Sequence, residues 1–470
     1  MNKILILIAC LIFGVSLAKA DYEFTFHITD LSEGTVYLGH HYANKQVVKD
    51  SVKIKNGKAV FKGDKDIEGG LYLFVFPGKK EYFEFVVSGD EDKFSITTSQ
   101  KDYIKDFTSK GSDENRQFYQ YINYLSNKKA SSAPLRKMYS SEADPLKKQL
   151  INNQLKALDD EILAYQENFI KDNSNLFVSK IIKSNIDIVV PEPPVNANGS
   201  IDSNFQFKYY KKHYFDNIDL SDDRMIRTPA VVNKVTYYLE KLTLKTPDSV
   251  LTAYDRILNL ASNSKEITKY YLVEFLNETA DSKVMGMDKV YVHLVEKYFK
   301  EDQLDWIDNA QLYRIQAQAK SWKPILIGKK APPFKLKDAM GMEHHAYSLN
   351  SKYTLLYFYD PDCGHCQTQT KKLVPAYESI ISKGFNLEVM AICGTPEEDK
   401  WLKYIDENMH KDWVHVADFS YESDFRTRYD LTGYPRVFIL DEHKIIIAKR
   451  LGAEQIEDFL ERHEKLINEK

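Results

Sequence analysis

Leu355-Leu356-Tyr357-Phe358-Tyr359-Asp360-Pro361-Asp362-Cys363-Gly364-His365-Cys366-Gln367 is the stretch on which the reading of this chain turns. From Tyr353 to Tyr359 it is apolar and aromatic without a break, the pattern of a strand buried on both faces. Asp360-Pro361-Asp362 ends that strand, because proline fixes φ and offers no amide donor. From Gln367 to Lys383, Leu373, Val374, Tyr377, Ile380 and Ile381 recur at helical spacing. The two cysteines therefore fall on a strand-to-helix turn. Cys363 is expected at the helix N-terminus, where unpaired amides and the macrodipole favour a thiolate. Cys366 lies three residues on, one turn up the same helix and close enough to close a disulfide. His365 between them can favour the Cys363 thiolate electrostatically. Half of a zinc site is the competing reading, but zinc takes about four ligands and the chain has no second Cys-x-x-Cys. Redox chemistry is the expectation, with no metal and no cofactor.

The rest of the chain bounds the setting. Its 470 residues are too many for one typical core, so two to four domains are expected. Aromatic residues make up 13%, which fits large packed cores rather than disorder. The formal charge of -4 and the absence of a long basic run argue against a nucleic-acid partner. Residues 1–20 carry a lysine, an apolar stretch from Ile4 to Leu17 and then Ala18-Lys19-Ala20, a secretory signal with its cleavage site. The apolar stretch is short for a membrane span. Leu7-Ile8-Ala9-Cys10 also has the look of a lipoprotein box, so a lipid anchor at Cys10 is the minor alternative. A mature chain would keep Cys363, Cys366 and Cys393, too few for a structural disulfide framework. The expected address is the periplasm.

Taken in order, residues 21–110 read as a β-rich domain. Tyr22, Phe24, Phe26 and Ile28 alternate with polar residues at a period of two. Asn56-Gly57 between apolar alternations marks a hairpin, and further strands are expected over 71–76, 82–87 and 94–98. A small antiparallel sheet or sandwich follows. Residues 111–324 change to helical spacing, with helices expected around 150–169 and 267–278, and others opening at Thr228-Pro229 and Pro247. The Pro-rich stretch 190–200 is a loop. Residues 325–470 alternate strand and helix as β-α-β-α-β-β-α, an α/β module. The adjacent pairs His40-His41 and His344-His345 lack supporting ligands and are expected to be solvated rather than metal-binding.

Gly328-Lys329-Lys330-Ala331-Pro332-Pro333-Phe334, then Cys363-Gly364-His365-Cys366, then Gly433-Tyr434-Pro435-Arg436-Val437-Phe438-Ile439-Leu440-Asp441 resembles the exported thioredoxin-like thiol:disulfide oxidoreductases, the periplasmic TlpA- and AhpC/TSA-like family. The resemblance covers about the last third of the chain. It implies a thioredoxin fold for 325–470, with Cys363 as nucleophile and Cys366 as resolving thiol. Pro435 matches the family's cis-proline, which leaves the Tyr434 backbone free to pair with an extended substrate. Protein thiols or disulfides are the implied substrates, with an external electron donor. The β-rich segment resembles an uncharacterised domain found ahead of such modules. Two positions depart from the family pattern: Tyr357 stands where many thioredoxins carry a buried Asp, and Gln369 where exported reductases often carry Glu. Each carboxylate would help to take the proton from the resolving thiol. Cys393 ends a strand beside the redox strand and reads as an inert core thiol rather than a third redox group. A fragment beginning near Leu326 is expected to fold and reduce a generic disulfide. The alternative is an envelope binding or scaffold protein with an accessory redox module, which disulfide turnover would separate from an oxidoreductase.

Overall fold

Strict alternation over Tyr22–Ile28 buries Tyr22, Phe24, Phe26 and Ile28 and leaves Glu23 and His27 exposed, so this segment forms strand β1 of a half-buried sheet. The computed structural model describes residues 22–195, 199–301, 304–394 and 397–469. The expected export signal and Cys10 lie outside these, as do residues 196–198 of the Pro-rich loop. The sheet continues with β2 (Glu33–Tyr42), β3 (Lys45–Lys55), β4 (Lys58–Gly63), β5 (Gly70–Val75), β6 (Tyr82–Val87), β7 (Lys93–Thr98) and β8 (Thr108–Lys110). Its order is β6-β5-β2-β3-β4-β1-β7-β8. The β3–β4 turn is set by Asn56 and Gly57 at φ 48 and 75, the signs a type I′ hairpin demands. A Cβ at Gly57 would meet the Ile28 carbonyl oxygen at 2.9 Å, so glycine is required on two counts. One pair departs from the antiparallel pattern: β7 returns beside β1 in the same direction. Phe26 anchors the core, its ring centroid between 4.7 and 6.1 Å from those of Phe61, Phe74, Phe83 and Phe85.

Helix α1 (Asp113–Ser141) starts at Ser112, whose hydroxyl accepts from the Asn115 amide at 3.1 Å. Asn115 is buried and turned onto β6. Its Oδ1 accepts from Val86 N at 2.7 Å, and its Nδ2 donates to Val86 O at 2.8 Å. The Tyr119 hydroxyl donates to Glu84 O at 2.9 Å. The helical region continues with α2 (Pro145–Asp172), α3 (Phe177–Ser184), α4 (Phe205–His213), α5 (Pro229–Lys241), α6 (Pro247–Leu260), α7 (Lys265–Ala280), α8 (Asp288–Tyr298) and α9 (Asn309–Trp322). Pro229 and Pro247 each occupy a first helical position, where a missing amide costs no bond.

By contacts the chain divides into two compact units. The first takes the residues up to Thr243 together with Arg256–Lys269, and the second takes Leu244–Asp255 with everything from Tyr270 on. The helical region is thus shared between them, and the division passes through α6 and α7. In the second unit α6 and α7 meet where the Tyr254 and Phe275 rings stack at 3.7 Å, while Asp255 accepts from His293 at 2.9 Å and Lys297 at 3.0 Å.

The α/β module lies in the second unit. It consists of β9 (Leu336–Lys337), β10 (Glu343–His344), β11 (Tyr353–Tyr359), α10 (Gly364–Ser382), β12 (Leu387–Cys393), α11 (Glu398–Asn408), β13 (Val414–Ala417), α12 (Phe425–Arg428), β14 (Arg436–Leu440), β15 (Ile446–Lys449) and α13 (Ala453–Asn468). The sheet order is β10-β9-β13-β12-β11-β14-β15, with β11, β12 and β13 parallel and β14 antiparallel to β11. Every residue of β11 is buried because both faces are covered. Tyr353, Leu355, Tyr357 and Tyr359 pack with α10 and α13, and Leu356 and Phe358 pack with Phe334, Phe425 and Tyr429. Strand β13 and helix α12 were not expected from sequence, since four residues are too few to show a period.

The module does not end at Leu326. The Lys449 ammonium, with the residue 3% exposed, pairs with Asp288 at the start of α8 and donates to Ile325 O at 2.7 Å. Asp430 accepts from Ser321 Oγ at 2.6 Å and Trp322 Nε1 at 2.7 Å, both on α9. His41 pairs with Glu84 and His344 with Asp338, and no group of three or more metal-ligating side chains occurs among the described residues.

Candidate active site

Cys363 is the N-cap residue of α10, and its Sγ accepts from the Cys366 amide at 3.4 Å. The chain reaches it through a tight turn in which Cys363 N donates to Asp360 O at 3.1 Å. The turn exists because Pro361 cannot extend β11. Cys363 is half-buried. Its thiol donates to Tyr434 O at 3.6 Å, within the limit for sulfur, and the Tyr434–Pro435 peptide is cis. His365 is exposed in the first turn of α10. Of the five residues singled out from sequence, Cys363, His365 and Cys366 lie at the start of α10, and Cys363 meets Tyr434, which with Pro435 forms the loop before β14.

Cys366 is completely buried. Burial first, and its hydrogen bond with Cys363 second, push its thiol well above the ordinary range. Behind it is a group of hydroxyls rather than a carboxylate. Tyr357 donates to Cys366 O at 3.1 Å and shares a 2.8 Å hydrogen bond with Thr370, and Tyr404 donates to the same Thr370 hydroxyl at 3.1 Å. Burial raises both phenols, which therefore stay neutral. Tyr357 thus fills the place of the missing Asp as a hydrogen-bond partner of the redox helix, not as a base. Gln369 is half-buried on α10.

Two further residues shape the rim. Gly394 follows β12, and a Cβ there would meet the Tyr434 ring at 2.4 Å, so the tyrosine lies directly on the glycine. Arg426 donates to Gly394 O at 3.3 Å and pairs with the buried Asp418 at 3.3 Å. Burial raises the Tyr434 phenol and the Arg426 guanidinium opposes that rise. Thr370, four residues after Cys366, was legible as lying on the same helix face; Gly394 and Arg426 carried no signal, because only the fold brings them together. Cys393 is buried opposite Tyr359 in the parallel β11–β12 pair, in the same apolar cluster as Cys366.

This arrangement presents one accessible sulfur at a helix N-terminus, one buried sulfur behind it and a free backbone edge beside them. It can exchange two electrons with a disulfide held along that edge. Residues 327–449 match the AhpC/TSA family, and residues 22–118 and 190–321 match two domains of unknown function, DUF4369 and DUF5106. No curated protein matches the chain. Among solved structures it is similar to a thioredoxin-like protein from Bacteroides caccae, with 22% identity over 59% of this chain and 99% of that one and a TM-score of 0.43. It is also similar to a domain of a possible thiol-disulfide isomerase from Cytophaga hutchinsonii, with 37% identity over 31% of this chain and 99% of that one and a TM-score of 0.29. A third is the thioredoxin domain of a thiol-disulfide oxidoreductase from Bacteroides vulgatus, with 23% identity over 29% of this chain and 96% of that one and a TM-score of 0.27.

Proposed function

On the premise that this chain is a thioredoxin-like oxidoreductase whose C-terminal domain belongs to the AhpC/TSA family, we propose that it exchanges electrons with protein disulfides outside the cytoplasm through Cys363 and Cys366. The observation that supports this reading is the pairing of a half-exposed Cys363 at a helix N-terminus with a fully buried Cys366 one turn on. The Cys363 thiolate attacks one sulfur of the substrate disulfide, forming a mixed disulfide and expelling the first substrate thiolate. Cys366 then loses its proton and attacks Cys363 Sγ. The Cys363–Cys366 disulfide forms and the second substrate thiolate leaves, so two electrons pass from enzyme to substrate. An external dithiol returns the enzyme to its reduced form. Tyr434 and Pro435 hold the substrate backbone, with the Tyr434 side chain fixed against Gly394 and Arg426.

The direction of flow depends on the Gly364-His365 dipeptide. A histidine between the cysteines is expected to favour the reduced form, which makes the disulfide more oxidising. The expected potential lies between that of thioredoxin, about -270 mV, and that of protein disulfide isomerase, about -180 mV. Export and cleavage after Ala20 belong to the same reading and account for a lone redox disulfide in an oxidising compartment. No described helix is long and apolar enough to cross a membrane. The deciding experiment is insulin or small-disulfide reduction by the chain from residue 21 on, with dithiothreitol as donor. Turnover that disappears in Cys363→Ser supports the reading, and a wild-type chain without turnover rejects it. Equilibration against glutathione gives the potential; a value at or below about -270 mV would make the protein a plain reductase.

A further inference from the structure

The cis-proline loop runs straight into an unusual concentration of positive charge. Arg436 follows Pro435 and is half-buried. Arg450 N donates to Val437 O at 2.9 Å, so Arg450 and Leu451 stand level with the first residues of β14. The Arg450 guanidinium lies 5.6 Å from the centroid of the Trp322 ring; burial first and that guanidinium second disfavour the Arg436 charge, and Asp430 opposes them. Beside them is a cavity of about 200 Å³, lined by Lys283, Val284, Met285, Trp322, Arg450 and Gln455 among others, room for roughly one side chain. Its inner wall includes Lys449 and Asp288, which are spent on each other. Asp430 is spent on Ser321 and Trp322. Lys283 and Arg450 line the cavity and form no ion pair with a described residue, Arg450 lying over Trp322, whereas Arg436 lies outside the lining and is attracted by Asp430. Arg450 also holds φ 61, a left-handed conformation that a non-glycine residue adopts at a cost and that recurs at functional positions. Two cations without an ion-pair partner on the wall of a side-chain-sized cavity ask for an anion.

The position of that cavity says whose anion it is. Tyr434 O is 3.6 Å from Cys363 Sγ, and Arg450, on the wall of the cavity, is bonded to Val437, three residues further along the chain and one strand across. At about 3.3 Å per residue and about 4.8 Å per strand, it lies about 10–15 Å from the reacting sulfur. An extended polypeptide paired with Tyr434 covers that distance in three or four residues. We propose that the cavity is an anion-accepting subsite that selects disulfide-bonded polypeptides carrying an acidic side chain three or four residues from the cysteine under attack. The proposal rests on the redox reading above. It also gives the segment between α7 and α8, which supplies Lys283, Val284 and Met285, a part in substrate choice beside Arg450 of the α/β module.

The test uses the full chain from residue 21 and two synthetic peptide disulfides that differ only in Glu or Gln three and four residues from the cysteine. The expected result is about tenfold higher kcat/KM for the Glu peptide, the scale of one charge-assisted contact, with a preference that shrinks as salt is added. In Lys283→Gln/Arg450→Gln the Glu-to-Gln ratio should fall to near one. Being a ratio, it is insensitive to any loss of folded enzyme, and glutamine keeps the backbone cost at position 450. A wild-type ratio near one, or a ratio that survives the double substitution, overturns the inference while leaving the redox reading intact. Failure of the wild-type chain to reduce either peptide or a small disulfide overturns the redox reading and this inference with it.

Discussion

Cys363 and Cys366 are separated by one helical turn and by nearly all of their accessibility, and this difference sets the order of events. In the reduced chain iodoacetamide should label Cys363 alone, with Cys366 and Cys393 unreactive until denaturant is added; peptide mapping by mass reads the result directly. The second step should be the slow one. Burial first and the hydrogen bond with Cys363 second raise the Cys366 thiol, the nearby Asp360 carboxylate adds to that rise, and only the thiolate attacks. A raised thiol holds its proton through neutral pH, so its reactive fraction grows as pH increases. Decay of a preformed mixed disulfide on Cys363 should therefore accelerate about tenfold per pH unit through the neutral and mildly alkaline range. A flat profile would reveal a base that the hydroxyls of Tyr357, Thr370 and Tyr404 conceal. The cysteine pair was legible in sequence because a strand, a Pro break and a helix are local patterns. The hydroxyl group behind it was not, because Tyr404 arrives from a different helix.

At the scale of elements the least expected feature is the dependence of β15 on α8. Lys449 sits in a strand whose neighbours Ile446 and Ala448 are core, and burial alone would pull its ammonium down; Asp288 is what keeps it paired. Asp288→Ala leaves a buried cation without a partner and should cost about 3–5 kcal/mol, measured by denaturant unfolding. Asp288→Leu combined with Lys449→Met should recover most of that loss, because an apolar pair of similar volume escapes the desolvation penalty. Nothing in the sequence linked residues 161 positions apart. The long amphipathic helices were legible because their periods run for many residues, and β11 because its apolar run is unbroken; β13 and α12 span four residues each and were not.

At the scale of the whole molecule, the motif order suggested a cut at Leu326, whereas the second unit begins in the helical region. A fragment from Leu326 lacks Asp288, Ser321 and Trp322, the partners of Lys449 and Asp430. A fragment from Leu244 keeps them, together with the Asp255 contacts to His293 and Lys297. The longer fragment should melt well above the shorter one in a calorimetric scan; equal melting temperatures would mean that the helical partners add nothing. Sequence could not locate this division, since it follows contacts across α6 and α7 rather than a change in composition. The first unit has its own exposure to manage. Strand β6 ends its sheet, and an unpaired strand edge is a template on which another chain can add. Asn115 offers Val86 a donor and an acceptor with the spacing of a neighbouring strand, and Tyr119 takes Glu84 O. One buried amide thus acts as a single-residue dummy strand. An unfolded polypeptide that met β6 would find its edge already taken, and this plug denies it a place to join.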